Sequence, residues 1–249
     1  MSNLFEYELS KFFKQKSLYI ILASMCAFGL CIVLMLKLVG DASGEAEMLG
    51  FGISLRATIS NFQVALFLGI FAAIYIQSDY SSHVVKNVYA RGYTRVQFSV
   101  VKLCFLLLTT LAFCVVALLI NFALSYESVS KELNSETLTA IALQILSMAA
   151  YSALFFWLSN LCGKGALAVC IALPYVFLVL GPIVSMIAEV NKNIKPLGEI
   201  IYFLPMGLPG LLSGNGLPVW KTALAGGLAA AYLCAFSALG IIASRKREA

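Results

Sequence analysis

The sequence predicts an all-α membrane protein with six transmembrane helices, and three observations carry that prediction. The 249 residues are 61% hydrophobic and only 12% charged, with a mean hydropathy of +0.93, well outside the range of soluble globular domains. The apolar residues gather in runs of roughly 20, the length a helix needs to cross a hydrocarbon core of about 30 Å. Only short polar or glycine-rich segments separate the runs, so a single transmembrane domain, residues 1–249, uses up the chain and leaves no room for a soluble catalytic domain.

Residues 3–16 open the chain as an amphipathic helix. Phe5, Leu9, Phe12 and Phe13 fall on one arc and Lys11 and Lys14 on the other side, the pattern of a helix lying in the membrane interface. Basic residues before an apolar run also suit a signal peptide. Here, however, Glu6 and Glu8 stand in the would-be basic region and no small-residue cleavage site follows, so the first run is read as a retained span. The six runs are residues 18–36, 58–77, 103–124, 138–161, 166–188 and 222–244. A Cys-Gly-Lys-Gly turn at 162–165 separates the fourth from the fifth, and Pro174 and Pro182 are expected to kink the fifth.

Two connections stand out. Residues 79–95, DYSSHVVKNVYARGYTR, form a polar, net-basic island with a short helix predicted over 80–91. Ser81 and Ser82 suit its start, Val84, Val85 and Val88 share one face with Lys86 and Asn87 turned away, and Arg91 and Gly92 suit its end. Residues 197–218 are apolar but broken by Pro205, Pro209, Pro218 and several glycines. They read as a partly re-entrant segment whose backbone is buried against protein; a hydrophobic loop lying on the outer surface of the bilayer has the same composition.

Charge sets the orientation. With the N-terminus inside, only Lys37, Arg56, Lys131, Lys192, Lys195 and Lys221 of the 17 lysines and arginines fall outside, together with most of the acids. Both termini and residues 79–95 are therefore expected in the cytoplasm.

The spans are read as essentially free of ionisable side chains, which argues against ion-coupled transport. Asn61, Gln63, Asn121, Gln144 and Tyr151 are candidate pathway-lining residues, although hydrogen bonding between helices accounts for such residues equally well. The seven cysteines include no CxxC pair and read as small buried hydrophobes, and the lone His83 reads as a helix-surface residue, so no metal site is indicated. No G-x-x-x-x-G-K-[ST], G-x-S-x-G or H-E-x-x-H motif occurs, and no acid pair or Ser/His/Asp set is placed for intramembrane catalysis. Any energy for work must come from elsewhere.

Taken together, these parts resemble the membrane subunit of bacterial type-2 ATP-binding-cassette transporters, the ABC-2 permease family. In that family the loop between the second and third spans runs as an acid, a "T-I-K-N-hydrophobic" helix, a "G-x-S/T-R" turn and a lysine. The counterparts here are Asp79, the helix from His83 through Val84, Val85, Lys86 and Asn87 to Val88, the Gly92-Tyr93-Thr94-Arg95 turn, and Lys102. The sequence departs from the pattern at Ser81-Ser82-His83, where the family usually has a glycine before its threonine. The resemblance implies an N-terminal elbow helix and a coupling helix that docks on a separate cytoplasmic ATPase subunit. Asp79, His83, Val84, Val85, Lys86, Asn87, Val88, Arg91, Gly92 and Arg95 would form the contact. An exposed valine face would suit a groove on that partner, though a helix resting on lipid headgroups would show the same amphipathicity.

The resemblance further implies that ATP and Mg bind the partner ATPase and no cofactor binds this chain. It implies a second permease half, identical or related, surrounding membrane lipid and no nucleic acid. The expected role is a non-enzymatic permease subunit of a peptide or amphipathic-cargo exporter, multi-pass in a bacterial plasma membrane. The alternative is a non-transporting immunity or sensor-scaffold membrane protein.

Overall fold

A computed structural model describes residues 2–43, 58–59, 62–82, 84–124, 134–176, 179, 203–205, 207–213 and 218–246, and among them there is no strand. The helices are α1 (Ser2–Lys14), α2 (Lys16–Ser43), α3 (Phe62–Ser81), α4 (Val84–Ala90), α5 (Arg95–Leu124) and α6 (Ser135–Cys162). A 3-10 turn, Gly163–Gly165, leads to α7, described over residues 166–176, and then come α8 (Leu208–Ser213) and α9 (Val219–Lys246).

Four stretches are long and apolar enough to cross a membrane: Gln63–Ser81, Arg95–Ala123, Ser135–Val176 and Val219–Lys246. A fifth candidate is α1 with α2, bent by 50° at Gln15, where the Tyr19 hydroxyl donates to the Phe13 carbonyl at 2.9 Å and straps the corner. The 42-residue stretch Ser135–Val176 is not one straight helix. Straight, it would be about 63 Å long, and Phe155 would lie about 22 Å from Cys170. Instead a Cβ built on Gly69 would come within 2.8 Å of the Cys170 carbonyl and 3.1 Å of the Phe155 ring. Ser159 Oγ and Cys170 Sγ lie 3.7 Å apart. The chain therefore reverses at Gly163, whose φ is +54°, and α6 and α7 are the legs of a helical hairpin. Hydropathy predicts six spans; the described helices supply four, or five with the bent pair, because the fourth and fifth runs share this hairpin and much of the fifth, with Pro182, lies outside the described residues.

Helix α6 is the hub, packed against α3, α5, α8 and, most extensively, α9. Small residues set the approach to α9: a Cβ on Gly226 would meet Leu143 Cδ2 at 2.8 Å, and one on Gly240 would meet Phe156 Cε1 at 2.6 Å. Within the expected re-entrant segment, residues 203–205, 207–213 and 218 are described. There α8 buries Leu208 and Leu212 against Ala225 and Ala229 of α9, and Gln144 Nε2 donates to the Pro209 carbonyl at 3.3 Å.

Several helices outrun their apolar runs; α2, for one, continues to Ser43 rather than ending near residue 36. Helix α3 continues to Ser81 rather than ending near residue 77, and α5 starts at Arg95 rather than near 103. Hydropathy marks where lipid contact ends, whereas a backbone ladder continues until its terminal groups are capped.

Replacing Gly240 with valine forces a branched side chain into Phe156 and should cost on the order of 1–3 kcal/mol. Gly227→Ala, where a Cβ meets nothing within 4 Å, should leave the unfolding midpoint in detergent unchanged or slightly raised.

Candidate functional site

The site is built around one face of α1. Leu4, Glu8 and Phe12 recur every four residues and are buried, Glu8 completely, whereas Phe5 and Phe13 are 46% and 56% exposed. The apolar arc expected from Phe5, Leu9, Phe12 and Phe13 is thus shifted: the inward stripe has a carboxylate at its centre. That carboxylate needs a partner, because a buried charge left unpaired is too costly to keep.

The partner is Lys102 of α5. Its Nζ lies 2.8 Å from Glu8 Oε2 and also pairs with the Asp79 carboxylate of α3, while Lys11 of α1 pairs with Asp79 from the other side. Glu8, Asp79 and Lys102 are all buried, so two acids and two bases form a charge-balanced cluster joining three helices. Tyr75 donates its hydroxyl to Glu8 Oε2 at 3.3 Å, and its ring lies 4.0 Å below the Lys102 ammonium. Phe12 packs edge-on to Tyr75 and Phe71 and lies against Phe105, closing the apolar wall. The apolar runs 58–77 and 103–124 hold no charged side chain; Asp79 and Lys102 stand just beyond them in the extensions of α3 and α5, tolerated in burial because each neutralises the other.

The island between α3 and α5 is held by turn chemistry. Ser81 and Ser82 do not cap the start of α4; both hydroxyls donate back to the Ser78 carbonyl and close the end of α3. After seven residues α4 stops at Gly92, whose φ of +86° puts it in the left-handed region and whose N–H donates to the Tyr89 carbonyl. Thr94 and Gln97 then form a reciprocal capping box: the Gln97 N–H donates to Thr94 Oγ1 at 3.2 Å and the Thr94 N–H to Gln97 Oε1 at 3.0 Å. Arg95 crosses to α9, donating to the Arg245 carbonyl at 2.6 Å in that helix's last turn, where a cation suits the helix dipole. Its guanidinium also sits 5.6 Å above the Tyr89 ring. Burial, then the neighbouring Tyr80, raise the Tyr89 phenol above its ordinary value against the pull of Arg95, so the ring under the cation stays neutral. Four elements, α1, α3, α5 and α9, therefore meet at the end of the bundle that carries α4.

The expected exposed valine face of α4 is also corrected. Val85 and Val88 are buried in the chain's own core and Val84 is half-buried; Lys86, Asn87, Ala90 and Arg91 are what α4 leaves exposed. A short helix with an apolar side gains more by laying it on the adjacent core than by holding it out in water. His83 lies outside the described residues.

A family model described as ABC-2 family transporter protein matches residues 4–179, a span that takes in α1, the charge cluster, α4 and the α6–α7 hairpin. The chain belongs to the ABC-2 transporter family. No match was found among curated proteins. Membership makes it a multi-pass permease subunit of an ABC transporter, a transport component that is generally not catalytic and works with an associated ATP-binding-cassette subunit.

In this ABC-2 permease the candidate pathway residues Gln63, Asn121, Gln144 and Tyr151 are all buried. Gln63 Nε2 donates to the Met25 carbonyl at 2.7 Å, Asn121 Nδ2 to Thr58 Oγ1, and Gln144 to Pro209, while Tyr151 meets the Phe155 ring at 5.2 Å. The first three tie separate parts of the chain together. Asn61 lies outside the described residues. Among the described residues no three of His, Cys, Asp and Glu come together as metal ligands. The sequence reading missed Glu8 and Lys11 as members of the cluster; the signal for Glu8 is its four-residue spacing from Leu4 and Phe12.

Lys102→Met leaves Glu8 buried without its cation and should destabilise the solubilised protein by about 3–5 kcal/mol. Adding Glu8→Gln retains the Lys11–Asp79 pair and removes the orphaned acid, so the double variant should recover about 1–3 kcal/mol in the same denaturation measurement.

Proposed function

We infer that this chain is the membrane half of an ATP-driven exporter, with α1 as its elbow helix and α4 as its coupling helix on a separate cytoplasmic ATPase subunit. The observation that carries this reading is the ion cluster beside α4. Lys102 ties α1 to α3 and α5, so a load on α4, itself seated by Val85 and Val88, passes to several helices at once. ATP with Mg would bind the partner and supply the energy; this chain's residues would receive the movement. The outward contact is basic, led by Lys86 with Ala90 beside it, while Val84, Asn87 and Arg91 lie on the side of α4 that faces the start of α1. Asp79, Gly92 and Arg95 act from behind, holding the ends of α3, α4 and α5 in place.

The hydropathy runs and the distribution of lysine and arginine support six spans with both termini in the cytoplasm, and the family resemblance implies a bacterial plasma membrane. A second permease half, identical or related, completes the transporter. Asp79 and Lys102, at the ends of the apolar runs of α3 and α5, are paired within one cluster, and the polar groups further along are uncharged amides and hydroxyls, which supports a peptide or other amphipathic cargo over an ion.

Lys86→Glu with Ala90→Trp changes the exposed side of α4 without touching its buried face. The double variant should insert normally, keep its unfolding midpoint and lose co-purification with the ATPase by about tenfold or more; undiminished co-purification would remove α4 from the interface.

A further inference from the structure

A groove of about 300 Å³ lies between the start of α1 and the outer side of α4. Its floor is apolar, with Leu4 and Val88 buried and Val84 half-buried, and its rim carries Tyr7, Asn87, Arg91 and Tyr93. Among the described residues, Arg91 is the only charged one lining the groove, no carboxylate lines it, and the Arg91 side chain has no partner. The groove therefore offers a cation, an amide and two phenols beside an apolar surface. A ligand that matches it has one negative charge where its polar part meets its apolar part.

We propose that the groove binds an anionic phospholipid, with the phosphodiester on Arg91 and Asn87 and the glycerol and first acyl carbons on Leu4, Val84 and Val88. Charge complementarity selects the anion, and the apolar floor selects a lipid over free phosphate. The surroundings are suitable: α1, which forms one wall, turns Phe5 and Phe13 outward as apolar surface for the bilayer to cover. The inference uses the reading of α1 as an interfacial helix but does not depend on α4 docking to an ATPase. Bound there, the lipid would make the joint between α1 and α4 responsive to membrane composition.

Native mass spectrometry of the purified full chain, incubated with phosphatidylglycerol or phosphatidylcholine in detergent, reads the site directly. The wild type should retain phosphatidylglycerol at least about tenfold better than phosphatidylcholine, and Arg91→Gln should lose most of that preference. Lys86→Gln removes an equally exposed cation of the same helix from outside the groove and should leave the preference intact. Val84→Phe fills the floor while keeping every charge and should also release the lipid; an unchanged unfolding midpoint in each variant shows that the fold survives. Equal losses in Arg91→Gln and Lys86→Gln would mean diffuse surface attraction and overturn the proposal. So would displacement by inorganic phosphate as effective as by added phosphatidylglycerol, which marks a small-anion site. Val84→Phe that keeps the lipid but loses the ATPase would assign the groove to a protein partner and overturn it equally.

Discussion

A lysine ammonium buried between two carboxylates, Lys102 between Glu8 and Asp79, is the contact on which the rest of this end of the bundle depends. Removing ions from water is so costly that the cluster persists only when all its members are present, charge-balanced and enclosed. Each condition fixes a piece of structure. Glu8 can be buried only if α1 lies against α5 in one rotational setting, and Asp79 can be buried only if α3 continues as helix past its apolar run. The aromatic wall of Phe12, Phe71, Tyr75 and Phe105 keeps water out only while α1 stays in place. The elbow thus owes its position less to its own amphipathicity than to a polar contact at the centre of its buried stripe.

Around that contact, the helix ends are secured by local chemistry. Gln77 Nε2 reaches the Ser159 and Gly163 carbonyls at the end of α6, Ser82 closes α3, Thr94 and Gln97 open α5, and Arg95 closes α9. These side chains add hydrogen bonds to backbone groups at helix ends, where the backbone ladder runs out of its own partners. All of them sit at the same end as α4. Whatever binds there meets helix ends that are tied to one another, in keeping with a family that implies an associated ATP-binding-cassette subunit.

Much of the fold was legible in the sequence because a span declares itself by length and apolarity alone. The apolar runs near α2, α3, α5, α6 and α9 could be read that way, and the turn at Gly163 and the stop at Gly92 from their glycines. The helix starts were harder: Thr94-x-x-Gln97 is a readable capping box, but it lies in a polar stretch where hydropathy points to a loop. The site was legible in its location and not in its wiring. Glu8 looks like a solvent-facing residue of an interfacial helix until a cation from 94 residues away is brought to it, and periodicity carries no information about such a partner. The α4 valines failed for the opposite reason. Their pattern was correct, but a pattern does not say whether the apolar face meets the chain's own core or another protein.

Amide hydrogen exchange along α1 tests the locking of the elbow most directly. If the Glu8–Lys102 contact holds α1 against the spans, its amides should exchange slowly in the wild type and much faster in Lys102→Met, with protection in α9 unchanged. Unaltered protection of α1 in that variant, or an equal loss in α1 and α9, would show that the cluster does not hold the elbow in place.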